Sequence, residues 1–215
     1  MNTDTAMGPD LSHIHRFVPG SDVGRPPLLL LHGTGGNEND LLPLGQMVAP
    51  GAALLSPRGR VSEAGMPRFF RRFAEGLFDE DDVRRRADDL ADFVEAARAR
   101  YGLGAPVAVG FSNGANIAAA VLYRRPQALA AAVLIRAMIP LSEGPSVPLT
   151  GKPVLILSGA MDPIVPASNA QGLAAALTAA GAAVRHEILP AGHGLTQPDI
   201  TLARAFLARD DRAEG

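Results

Sequence analysis

Four short apolar runs constrain this chain more than anything else in it. They are P-L-L-L-L at 27–31, V-A-V-G-F at 107–111, A-A-V-L-I at 131–135 and V-L-I-L-S at 154–158. Each is too short for a buried helix and lacks the polar residue that a half-solvated strand carries at every second position. Runs of this kind suit strands of a parallel sheet buried on both faces. Helical patterns lie between them. The longest covers 80–101, where Val83, Ala87, Leu90, Phe93, Val94 and Ala97 keep helical spacing. Acidic D-E-D-D opens it, favourably for the helix dipole, and Gly102 ends it. Further strands are expected at 14–18, 52–56 and 184–189. Further helices are expected after Asn37 as a cap, over 115–123, over 168–180 and over 198–207. Residues 57–79 read as irregular. Strands alternating with helices predict an α/β fold with a mostly parallel central sheet and helices on both faces. Ligands in such sheets bind at the carboxyl ends of the strands.

With 215 residues, 47% of them hydrophobic, the chain is expected to form one packed domain over 13–210, after a flexible stretch at 1–12. A net charge of −2 gives no electrostatic case for a nucleic-acid partner. No membrane partner is expected either. The most apolar long stretch, 117–139, is interrupted by Arg124-Arg125-Pro126. Cysteine is absent, which excludes disulfides, thiolate metal sites and a cysteine nucleophile. The N-terminal residues lack a signal-peptide pattern, so a cytoplasmic location is expected. His13 and His15 alternate on a possible strand with no partner carboxylate, a poor metal site, and no metal or cofactor is expected.

Residues 110–114, G-F-S-N-G, admit two readings. Asn113-Gly114 between apolar runs is a tight-hairpin signal. The same letters form G-x-S-x-G, the strand-to-helix elbow that exposes a serine. The next eleven residues, A-N-I-A-A-A-V-L-Y-R-R, are Ala-rich and suit a helix rather than a returning strand. The elbow is therefore expected, with Ser112 as nucleophile.

A serine hydroxyl needs a base, and the base an orienting carboxylate. His193, in a glycine-flanked loop after the 184–189 strand, is the expected base. His186 lies inside that strand and reads as a satisfied strand histidine. Asp162, directly after V-L-I-L-S, is the expected carboxylate, with Asp199 and Glu143 as rivals. An oxyanion needs preorganised N–H donors. Asn113, the residue after the nucleophile, and Thr34, in H-G-T-G-G after an early strand, are the expected pair. His32 reads as a loop-fixing residue.

The motifs L-H-G-T-G-G-N-E-N-D-L-L-P-L, S-P-R-G, G-F-S-N-G-A-N, M-D-P-I-V-P and G-H-G-L occur in this order. With them the chain resembles the small phospholipase/carboxylesterase family of α/β-hydrolases. It is most similar to bacterial esterase-like members, some linked to quinone or hydroquinone resistance. Acyl-protein thioesterases are more distant. The resemblance implies an α/β-hydrolase fold without a large cap domain, often dimeric. It implies a serine carboxylesterase acting on small or medium esters. It maps Ser112, Asp162 and His193 onto the triad and Thr34 and Asn113 onto the oxyanion hole. A likeness to dienelactone hydrolases is more superficial, since those use a cysteine nucleophile. A thioesterase or quinone-related hydrolase on the same triad, and a non-catalytic binding module, remain as alternatives.

The 57–79 loop, rich in Arg and Phe, is the least generic segment. Phe70 and Arg71 from it, with Met138 and Ile164 from later loops, are the expected substrate contacts. The apolar segment I-R-A-M-I-P-L at 135–141 looks hard to bury, and a homodimer is expected on that ground.

Overall fold

The run of four leucines is strand β2 (Leu28–Leu31), and none of the four is more than 1% exposed. Leu28 and Leu30 face one cluster, with Val107, Val109, Val133, Leu155 and Leu157. Leu29 and Leu31 face another, with Ala108, Ala132, Leu134 and Ile156. A strand turns alternate side chains to opposite faces, so a run apolar at every position needs cover on both. Each buried leucine contributes roughly 1.5–3 kcal/mol relative to exposure.

The structure is a computed structural model describing residues 11–210. The other main-sheet strands are β1 (His15–Val18), β3 (Leu54–Pro57), β8 (Val107–Phe111), β9 (Ala131–Ile135), β10 (Pro153–Gly159) and β11 (Ala183–Leu189). Their order is β1-β3-β2-β8-β9-β10-β11, and β1 alone among them is antiparallel to its neighbour. Helices α2 (Glu80–Tyr101), α3 (Asn113–Arg124) and α4 (Ala167–Ala179) cover the Leu29 face. Helices α1 (Leu42–Val48) and α5 (Gln197–Asp210) cover the Leu28 face. The helices that come after neighbouring strands β2 and β8 thus lie on opposite faces. That opens a crevice at the carboxyl ends of these two strands.

Most of the expected elements lie within two residues of their expected limits. Helix α1 differs. Asn37 does not cap it; its Oδ1 accepts from the Asn39 N–H at 2.9 Å in a local turn, and the helix starts at Leu42. Pro43 decides this. It has no N–H to give and is tolerated in the first turn, not six residues into a helix. The 57–79 segment is also more ordered than expected. It forms two ribbons, β4 (Val61–Glu63) with β5 (Met66–Arg68), and β6 (Arg72–Ala74) with β7 (Leu77–Phe78). Ala64 and Gly65, at φ 50° and 82°, make the tight turn between the first two strands.

The expected surface for a homodimer is not there. Met138 is 7% exposed and Leu141 2%. Ile139 packs against the α2–α4 side of the core, and its N–H donates to Asn169 Oδ1 at 2.8 Å. Side-chain amides from α3 and α4 draw this segment inward, since the Met138 N–H donates to Asn116 Oδ1 at 2.7 Å. The flexible stretch expected at 1–12 falls, up to residue 10, outside the described residues.

Candidate active site

Strand β8 and helix α3 meet at Ser112, which has φ 52° and ψ −114°. Positive φ at a non-glycine residue costs about 1–3 kcal/mol and persists only where the surroundings enforce it. Here the Ser112 N–H donates to Ile135 O of β9 at 2.8 Å, and Ser112 O accepts from the Asn116 N–H at 2.9 Å. Sheet and helix grip the residue from both ends. The two flanking glycines are required by contact. A Cβ on Gly110 would lie 2.6 Å from Gly114 O, and one on Gly114 would lie 1.9 Å from Leu31 O. The turn is an elbow, and no hairpin forms.

His193 stands in the loop between β11 and α5. Its Nε2 is 2.9 Å from Ser112 Oγ and its Nδ1 is 2.8 Å from Asp162 Oδ2. A carboxylate can only accept, so Nδ1 donates and Nε2 is left to accept from the serine hydroxyl. Asp162 comes after β10, and its side chain is almost wholly buried, at 1% exposure. Burial pushes this carboxyl up. The N–H groups of Ile164 and Val165, at 2.8 and 3.0 Å, and the His193 ring outweigh burial and hold it below the ordinary carboxylate range. The structure brings together all three residues selected from the sequence.

The rivals are engaged elsewhere. Asp199 is fully buried against Arg136. Glu143 pairs on the surface with Arg84. His186 Nε2 lies 2.8 Å from Ser158 Oγ. His13 packs on Phe93, and His15 bonds to Tyr101 Oη and His13 O. Among the described residues no group of three His, Cys, Asp or Glu could hold a metal ion.

Thr34 lies in the loop after β2, across the crevice from Asn113. The Asn113 N–H is the first of helix α3 and so has no acceptor within that helix. The β4–β5 ribbon braces both. Arg68 Nη1 donates to Thr34 Oγ1 at 2.8 Å, and the Phe69 N–H donates to Asn113 Oδ1 at 2.7 Å. His32 fixes the same loop as a neutral ring. Its Nδ1 donates to Gly33 O at 2.7 Å, and its Nε2 accepts from the Gly59 N–H at 3.0 Å. Burial lowers its pKa, which favours that neutral form.

Beside Ser112 lies a cavity of about 210 Å³. Phe78, Met138, Ile164 and Val165 form its apolar wall, and Arg68, Arg72 and Glu75 reach it from the ribbons. Met138 and Ile164, two of the expected substrate contacts, thus line it. Phe70 and Arg71 do not. Phe70 is 0% exposed and packs edge-on against Phe78. The Arg71 side chain is 60% exposed and bonds to Asp79 on the outside. Both lie in the link between β5 and β6, which turns the first into the core and the second outward. With no ribbons foreseen in 57–79, nothing said which of the successive arginines faces inward. Arg68, Arg72 and Phe78 were missed as lining residues for the same reason; Val165 and Arg136, in the loops after β10 and β9, were missed as well.

Residues 61–212 match the dienelactone hydrolase family, about seven-tenths of the chain. The chain belongs to that family. It is a hydrolase with the α/β-hydrolase fold. The likeness to dienelactone hydrolases thus goes deeper than the missing cysteine suggests, with serine at the elbow of this member. The chain is 44% identical over 199 residues to MhqD of Bacillus subtilis (strain 168), named as a hydrolase, covering 91% of this chain and 97% of that one. The crystal structure of the Bacillus cereus carboxylesterase superposes with a TM-score of 0.90 at 44% identity, over 92% of this chain and 94% of that one. A carboxylesterase from Mesorhizobium loti gives 0.88 at 32% identity, over 93% and 96%. The motif resemblance to bacterial esterases holds.

Proposed function

We propose that this hydrolase is a serine carboxylesterase working through an acyl-enzyme. The observation that carries the reading is the unbroken chain Ser112 Oγ–His193–Asp162, at 2.9 and 2.8 Å. As Ser112 Oγ bonds to the ester carbon, His193 Nε2 takes the hydroxyl proton and then passes it to the departing alkoxide. Asp162 holds the ring in the tautomer that leaves Nε2 free to accept. The N–H groups of Thr34 and Asn113 receive the oxyanion. Water then enters, gives a proton to His193 and adds to the acyl carbon. The proton returns to Ser112 as the acid leaves. The kinship with carboxylesterases supports this assignment.

The cavity narrows the substrate. At about 210 Å³ it suits a compact acyl or aryl group and not a long chain. Its arginines are already matched. Arg68 pairs with Glu63 at 3.1 Å, and Arg72 pairs with Glu63 and Glu75. An uncharged acyl group is therefore favoured over a carboxylate-bearing one. Thioesters use the same apparatus and belong in the same test.

The test pairs a fluorophosphonate with p-nitrophenyl esters of rising chain length, aryl esters and thioesters. The adduct is expected on Ser112 by mass spectrometry, with kcat/KM highest for short acyl groups. An adduct elsewhere, with activity retained in Ser112→Ala, refutes the assignment. No turnover and no adduct would leave the binding-module reading.

A further inference from the structure

Arg136 comes directly after the last residue of β9 and is itself strained, at φ 57°. Its side chain and that of Asp199 are both 0% exposed, and Nη1 lies 2.8 Å from Asp199 Oδ1. The pair is bidentate, with Nη2 to Oδ2 at 2.9 Å. The remaining donors go to carbonyls. Nη1 donates to Leu157 O at 3.1 Å, Nε to Gly192 O at 2.9 Å and Nη2 to Gly194 O at 3.2 Å. A guanidinium has five N–H groups, and all five are used. The two glycine carbonyls flank His193. The same carboxylate of Asp199 also accepts from Thr196 N and Oγ1, at 2.8 and 2.7 Å. One buried ion pair thus ties both shoulders of the His193 loop, and its continuation into α5, to the ends of β9 and β10.

Stability alone gives little reason for such a device. A buried ion pair is often replaced by apolar side chains without loss. Its geometry here serves alignment. We propose that Arg136, with Asp199, is a positioning residue that holds the His193 imidazole in line with Ser112. It acts through the carbonyls of Gly192 and Gly194 rather than by touching substrate. Although Arg136 borders the cavity, it has no donor left to offer a ligand. The proposal rests on the role given to His193 above.

Two variants of the full chain test it. Arg136→Lys keeps a cation for Asp199 but cannot reach both glycine carbonyls. The double variant Arg136→Met/Asp199→Leu removes both charges and leaves no buried ion unpaired. Each is assayed for thermal unfolding, for kcat and KM on p-nitrophenyl acetate, and for the rate of fluorophosphonate labelling at Ser112. In folded variants kcat is expected to fall by about 10- to 100-fold, the cost of a misplacement on the order of an ångström. The labelling rate should fall by the same factor, with KM changed less than about threefold. A folded variant with near-normal kcat overturns the proposal. So does a rise in KM at constant kcat, which would make Arg136 a substrate contact. Loss of fold in both variants also overturns it, because the pair would then serve stability. If the unaltered protein is not labelled at Ser112, the triad assignment itself has failed, and the two failures are distinguishable.

Discussion

A methyl group at Gly114 would sit inside the Leu31 carbonyl, so helix α3 lies against β2 with main chain touching main chain. Gly114→Ala is expected to cost about 3 kcal/mol or more in urea unfolding, because backbone, not a flexible side chain, must move. Gly144→Ala, with open space where its Cβ would go, is the control and should change stability little. Asp162 carries the other residue-scale prediction. In Asp162→Asn an amide N–H faces Nδ1, which favours the wrong ring tautomer. A loss on the order of 10⁴ in kcat is expected from steady-state rates. Glu143→Gln, at a surface pair with Arg84, should leave kcat within about twofold. Equal losses in the two variants would mean that the carboxylate is wrongly chosen.

Among the elements, α2 was legible almost to the residue. Asp79 caps it by accepting from the Asp82 N–H, and Gly102 closes it at φ 66°. Its apolar spacing, its cap and its stop all agree, which is why local reading succeeds. Asp79→Ala should lower stability by about 1 kcal/mol in chemical denaturation. The ribbons β4–β5 and β6–β7 were not legible. Strands of two or three residues offer no period to count, and their register depends on contacts far along the chain, such as Phe69 N–H to Asn113. The candidate site divides in the same way. Ser112, His193 and Asp162 each come after a well-patterned strand and could be found. The part of the cavity wall that the ribbons supply, Arg68, Arg72, Glu75 and Phe78, could not. Arg68→Met tests the ribbon's part, since Arg68 holds the Thr34 hydroxyl. A fall in kcat of roughly tenfold is expected, with KM little changed, if the ribbon braces the oxyanion donors.

Over the whole molecule, acid should find a weak point far from the site. Burial, first of all, and then Arg60 and Arg86 push His13 down to about 4. The unfolded chain takes up that proton near 6.5. Between these values the unfolded state binds more protons, so stability falls as pH drops from about 6.5 toward 4. The contribution is about 3 kcal/mol for this one ring. Thermal midpoints recorded from pH 7 to 4.5 should fall less steeply in His13→Gln than in the unaltered protein. The shared sheet explains why so much else was readable in advance, since its apolar runs and the loops after them sit in one fixed order along the chain. The β6–β7 ribbon stands apart from that frame. It roofs the cavity with Arg72, Glu75 and Phe78, yet gives no hydrogen bond to Ser112, His193 or Asp162. If the cavity takes the acyl group as proposed, this ribbon shares in the choice of acid with Met138, Ile164 and Val165 but has no hand in cutting the bond. Residues 72–78 are held at their base by Phe78 against Phe70 and by Arg72 against Glu63, while Phe73 and Leu77 stay exposed. A longer or shorter turn grafted between those two anchors is expected to change which acids enter while leaving Ser112, His193 and Asp162 in place.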